Sequence, residues 1–151
     1  MNKPVLFCHD GSDGSRAALA AAVEVIKPAD AVVLVVWTPA AVQLARAGSF
    51  IVAVPNEGEI DEQEVATARE IAEEGATRLR ERGYNATARI ALADESVAKT
   101  IDEIAQEIDA RLVVCGQRGR GPIGSALLGS VSHGLAAHTK RPVLIAPQHP
   151  S

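Results

Sequence analysis

The chain has 151 residues, which suits one domain, and 47% of them are hydrophobic, enough for a core. Aromatics make up only 3%, so the core must be aliphatic, which argues against a surface that reads nucleic acid by stacking bases. A net charge of −4 gives no general attraction to DNA or anionic membranes, and no apolar run approaches the roughly 18–20 residues of a membrane span.

The opening MNKPVLFCHDGS lacks the apolar stretch of a secretory signal, so a soluble, cytoplasmic protein is expected. A first strand is predicted at 4–9 (PVLFCH), followed by a turn, DGSDGS, and a helix over 14–27. The second strand, AVVLVVW at 31–37, leads into a long connection, residues 38–60, with an apolar patch, SFIVAV. That connection reads either as an irregular segment folded onto the body or as a lid or partner surface. Residues 61–82 begin with acids and end with bases before Gly83, a charge order that matches a helix dipole with a glycine past its end. A third strand at 86–92 is followed by a helix at 96–108, with Val97, Ile101, Ile104 and Ile108 on one face. The fourth strand, 111–116, runs into CGQRGRGPIGSALLGS, a helix is predicted over 130–138, and a last strand over 142–147.

Most of these strands are continuous apolar runs rich in Val and Ile, as in a parallel sheet covered on both faces. Alternation with helices predicts a single doubly wound α/β domain with right-handed crossovers. The two cysteines, Cys8 and Cys115, lie in strands and read as small buried hydrophobes, not as a disulfide or a zinc site.

Charge is unevenly spread. Residues 94–109 hold six acids and one lysine, whereas 110–151 hold no acid but Arg111, Arg118, Arg120, Lys140 and Arg141. The glycine-rich loop lies in this basic end and leads to a helix N-terminus, which together read as an anion site; a solvated surface loop is the alternative. In open α/β sheets ligands sit beyond the carboxyl ends of the strands, where the first-strand turn also ends. There Asp10 is placed to accept hydrogen bonds from ribose hydroxyls, and Ser12, Asp13 or Ser15 to cap the first helix or, for the serines, touch a ligand. The loop is neither a Walker A loop nor a Rossmann fingerprint, because no lysine follows the glycines and the first strand carries no GxGxxG.

Gly116-Gln-Arg-Gly119, nine residues, then Gly129-Ser130 fits the G-x2-G-x9-G-[ST] motif of ATP-binding universal stress proteins. HDGSDGSRAAL, LVVWTP and SVSHGLAAHTKRPVLIAP also resemble that family, so the likeness spans nearly the whole chain. The resemblance implies a five-stranded parallel sheet in the order 3-2-1-4-5, as in adenine-nucleotide α-hydrolase-like folds. It implies ATP contacts from Asp10 to ribose, from the Val36 backbone to adenine, and from Cys115 and Gly116 at the end of the fourth strand. Gly119, Gly129, Ser130, Val131 and Ser132 would hold the phosphates. Arg118 and Arg120 join this set from charge alone, and Mg²⁺ would be held mainly by the phosphates because the loop offers no carboxylate.

The family also implies a homodimer through strand 142–147, whose edge would otherwise be exposed. Three positions depart from its pattern: His9, Arg111 and the glycine-free Ala93-Asp94-Glu95. His9 reads as a structural histidine or as one that alters the nucleotide pocket. No catalytic set is evident, so the expected function is nucleotide-dependent regulation in a stress response with at most slow ATP hydrolysis and an unknown protein partner. A nucleotide-free dimerisation module and an enzyme of the ATP pyrophosphatase group are the alternatives.

Overall fold

The computed structural model describes residues 2–39, 42, 62–117 and 128–147. Five strands, β1 (Val5–Cys8), β2 (Asp30–Trp37), β3 (Asn85–Leu92), β4 (Leu112–Gly116) and β5 (Val143–Ala146), form one sheet in the order β3-β2-β1-β4-β5. Every pairing is parallel, with Val5 opposite Ala31 of β2 on one side and Leu112 of β4 on the other. The described helices are α1 (Asp13–Val25), α2 (Glu62–Arg80), α3 (Val97–Glu107) and α4 (Ser130–His138). The architecture is the expected 3-2-1-4-5 doubly wound sheet. Most of the long connection, and with it the SFIVAV patch, lies outside the described residues.

Local chemistry explains the boundaries. Ser12 caps α1 by accepting from the Ser15 N–H at 3.1 Å, and Ser96 caps α3 through the Lys99 N–H at 3.1 Å. Helix α1 stops at Val25, short of the predicted Lys27, because a residue before proline, here Pro28, is pushed out of the helical region. Helix α2 carries Glu62 and Glu64 in its first turn and Arg78 and Arg80 in its last, and Gly83 takes φ 89° in the turn beyond.

Because side chains alternate along a strand, the sheet has two separate cores. Val5, Phe7, Val33 and Val114 point to the α1/α2 side and pack with Leu19, Ala22, Ala76 and Leu79. Leu6, Leu34, Val113 and Cys115 point to the α3/α4 side and meet Ile101, Ile104 and Leu135. Val97 and Ile108 pack at the margins of this second core, completing the apolar face read from the α3 sequence. On the first side Phe7 and Tyr84 meet edge to face, with ring centroids 5.9 Å apart at 88°, while the Tyr84 hydroxyl donates to the Ile26 carbonyl.

Phe7 is fully buried on the central strand beside the helices that follow β1 and β2. Phe7→Ala should therefore cost about 3–5 kcal/mol of folding stability, read as a lowered urea midpoint. An unchanged midpoint would contradict this packing.

Candidate functional site

The strand order makes β1 and β4 neighbours, so the turn after β1 and the end of β4 open at the same edge of the sheet. Gly11, at φ 78°, allows the chain to turn straight out of His9-Asp10. The Asp10 Oδ1 accepts from the Ser12 N–H at 2.9 Å and from the Ser12 hydroxyl at 2.5 Å. Ser12 is thus both the helix cap and the residue that orients the carboxylate, while nothing among the described residues donates to Asp10 Oδ2.

The other wall is built around Gln117. Its carbonyl accepts from the Gly129 N–H at 2.7 Å and from the Ser132 hydroxyl at 2.9 Å. These bonds bring the start of α4 against the end of β4, whatever path the intervening loop takes. Gly129 is the N-cap and supplies no side-chain cap, so the first N–H groups of α4, on Ser130, Val131 and Ser132, have no intrahelical partner. The Ser132 hydroxyl is buried and bonds to Gln117 and Gly129, so Ser132 has only its backbone N–H to offer a ligand. Ser130 and Val131 lie at the same helix start. Arg118 and Gly119 fall outside the described residues.

Cys8 ends β1 and Cys115 is the last residue but one of β4, each one position beyond the Phe7–Val114 pair. Both are free. Burial pushes the Cys115 thiol up to about 11, and burial with the neighbouring Cys115 raises Cys8 well above the ordinary thiol range. They are protonated, apolar thiols under the opening. Val36 lies one residue before the end of β2, half-buried on the α3/α4 side.

The basic end of the sequence divides in space. Arg111 immediately precedes β4 with its N–H on the Pro4 carbonyl at 3.0 Å, and Lys140 and Arg141 precede β5. They therefore sit at the amino ends of the strands, away from the opening. Arg141 also bonds to Asp109 at 3.0 Å, an acid from the preceding acidic stretch. His133 and His138 are exposed on α4 and share no ligand cluster, and no group of three His, Cys, Asp or Glu among the described residues could hold a metal ion.

One polar cluster was not legible in the sequence. His9 is buried on the α1/α2 side, with Nε2 2.8 Å from Glu74 Oε2 and Nδ1 2.5 Å from the Ser15 hydroxyl. Glu74 Oε1 also accepts from Arg16 Nε at 3.0 Å and Arg78 Nε at 2.5 Å. Partial burial opposes ionisation of Glu74, but the hydrogen bonds from His9, Arg78 and Arg16 outweigh it and hold the carboxyl at about 2. The pairing of residues 9 and 74 has no local sequence signal. Gly75 beside it was the available clue, since a Cβ there would lie 2.8 Å from Val33 Cγ1 and 3.0 Å from His9 Cδ2.

A doubly wound domain with a carboxylate and a glycine-capped helix start at its switch point is the class this geometry defines. The chain belongs to the universal stress protein family, whose model matches residues 1–147. Universal stress protein Rv1996 of Mycobacterium tuberculosis is 39% identical over 54 residues, 36% of this chain and 16% of that protein, so the match spans about a sixth of the relative. Among solved structures, hypothetical protein MJ0577 superposes with a TM-score of 0.76 at 20% identity, covering 100% of this chain and 99% of its own. A universal stress protein in complex with cAMP gives 0.60 at 25% identity, covering 97% and 98%. The universal stress protein from Archaeoglobus fulgidus in complex with dAMP gives 0.58 at 18% identity, covering 96% and 98%.

The Glu74 cluster generates a pH prediction. Its carboxyl sits below its ordinary 4.5 in the folded chain, so it contributes stability above pH 4.5 that is lost as pH falls toward 2. The difference in urea midpoint between the parent protein and Glu74→Gln should be full at pH 6 and shrink steadily below pH 4.5. A difference that does not change with pH would contradict this ion cluster.

Proposed function

We propose that this chain binds an adenine nucleotide, ATP in the first instance, at the edge between β1 and β4, and that its nucleotide state is read by a partner or by its own assembly. The observation that carries the reading is the convergence on Gln117. The Gly129 N–H and the Ser132 hydroxyl hold the uncapped start of α4 beside the strand that neighbours β1, so a helix N-terminus and the Asp10 carboxylate share one opening. The helix start favours phosphate, and Asp10 Oδ2, to which no described residue donates, favours a hydroxyl donor such as ribose. These two preferences together match the adjoining sugar and phosphate of a nucleotide, whereas a simple anion would use the helix start alone. The cAMP and dAMP complexes of proteins with this fold support adenine as the base.

Val36, Cys115 and Gly116 would line the base and sugar. Gly119, Gly129, Ser130, Val131 and Ser132 would take the phosphates, with Arg118 adding charge. Ser12 acts mainly by orienting Asp10. Mg²⁺ would be carried by the phosphates, since Asp10 is the only described carboxylate in the β1 turn before α1 and its assigned role is at the sugar. The same residues offer no evident base or metal carboxylate at the phosphates, so hydrolysis would be slow at most.

Replacement of Gly129 or Ser130 by phenylalanine should abolish ATP binding by calorimetry, with the urea midpoint nearly unchanged. Retained affinity would refute the phosphate assignment. The same titration with cAMP separates a cyclic-nucleotide preference from an ATP preference.

A homodimer through the last strand belongs to the same reading. Among the described residues, strand β5 pairs only with β4, and its Val143, Leu144 and Ile145 are half-buried. A twofold copy would cover that edge. Leu144→Glu should abolish the dimer or the fold in sedimentation; a soluble, stable dimer of that variant would contradict the assignment.

A further inference from the structure

His9 ends the segment that leads from β1 into the Asp10 turn, yet its ring is directed away from the proposed nucleotide opening. It is 4% exposed and packs beside Val33 and Gly75 on the α1/α2 side. Four groups lie in a row through it. The Asp10 N–H meets the Ser15 hydroxyl oxygen at 3.3 Å, that oxygen is 2.5 Å from His9 Nδ1, and His9 Nε2 is 2.8 Å from Glu74 Oε2. Resting on the nucleotide reading above, we infer that Ser15, His9 and Glu74 are positioning residues: a one-way hydrogen-bond relay that fixes the Asp10 turn and thereby sets how strongly the site prefers a ribose with hydroxyls over one without.

The two ends of the row decide its direction. A backbone N–H can only donate, and an ionised carboxylate can only accept. Arg16 and Arg78 both donate to Glu74, which keeps that end an acceptor. His9 must then carry its hydrogen on Nε2, leaving Nδ1 to accept the Ser15 hydroxyl hydrogen, while the Ser15 oxygen receives the Asp10 N–H. Every donor in the row has one acceptor. The backbone of Asp10 is thereby tied to α2 through α1, while its carboxylate is tied separately to Ser12. Buried networks in which every member is satisfied hold a single geometry.

Two features show that the relay is built into the packing. Gly75 lets α2 approach closely enough for its neighbour Glu74 to reach His9. Ser15 is itself buried in the first turn of α1, where its N–H serves the Ser12 cap and its hydroxyl serves the relay. A hydroxyl, an imidazole and a carboxylate in sequence also occur in acyl-transfer enzymes. Here the hydroxyl is buried and already accepts from Asp10, so its role is to hold the turn and not to attack a substrate.

The test compares ATP with 2′,3′-dideoxy-ATP by calorimetry. The parent protein should bind ATP about tenfold or more tightly than the dideoxy compound, the effect of hydrogen bonds to a charged group. Ser15→Ala and Glu74→Leu should bring that ratio below about threefold while leaving the dideoxy affinity unchanged. Glu74→Gln should keep the ratio, because its amide oxygen still accepts from His9 Nε2. If the parent discriminates but the variants weaken both nucleotides equally, or neither, the relay is overturned and the nucleotide site stands. If the parent does not discriminate, the Asp10–ribose reading fails, and the relay's role in specificity fails with it. Nitrogen NMR of His9 in the nucleotide-free protein gives a readout that needs no variant. The Nε2–H tautomer at neutral pH is expected; an Nδ1–H tautomer or an imidazolium overturns the relay.

Discussion

The parallel pairing of β1 with β4 places everything else. With right-handed crossovers, the sheet grows one way through β2 and β3 and the other way through β5, so the connections leaving β1 and β4 diverge onto opposite faces. The gap between them is the switch point of the sheet, where the connections after two neighbouring strands can face one ligand. Three register pairs, Val5–Leu112, Leu6–Val113 and Phe7–Val114, hold the two strands level. A slip of one residue would invert every side chain in β4 and separate the Gln117 anchor from the Asp10 turn.

The two faces of the sheet then divide the work. On the α3/α4 side, aliphatic residues and two protonated thiols give an apolar floor that suits a base or sugar face. On the α1/α2 side, one buried histidine is joined to a helix hydroxyl and an ionised glutamate. A polar group in that core is tolerable because each of its ring nitrogens has a partner. The same bonds link the Asp10 turn to the helix that follows the long connection. Turn geometry and the seating of α2 are therefore parts of one network, on which the proposed nucleotide site would rest.

Much of this was legible in the sequence, for reasons that are local or periodic. Continuous Val-rich runs marked the strands, and the acids, bases and Gly83 around α2 marked its ends to within two residues. The Asp10 turn and the Gly129-Ser130 start were legible because glycines, caps and a helix opening follow one another in fixed order. What remained hidden depends on residues far apart. Glu74 lies 65 positions from His9, and surface acids on a helix rarely reveal which of them turns inward. The commitment of the Ser132 hydroxyl to Gln117, 15 residues away, is hidden for the same reason. Charge read along the chain also misled in part. Arg111, Lys140 and Arg141 sit at the opposite edge from the site, and Asp109 partly offsets them there.

The most direct measurement is the nucleotide content of the protein as purified. The chain has one Trp and one Tyr, so bound adenine would be plain in its absorbance near 260 nm, and denaturation followed by chromatography would identify what is released. The account predicts an adenine nucleotide that co-purifies with the chain, or is taken up on adding ATP with Mg²⁺, at close to one per chain. A protein that is empty and stays empty with added ATP, Mg²⁺ and cAMP would contradict it, and would leave the glycine-capped start of α4 as part of a dimerisation module.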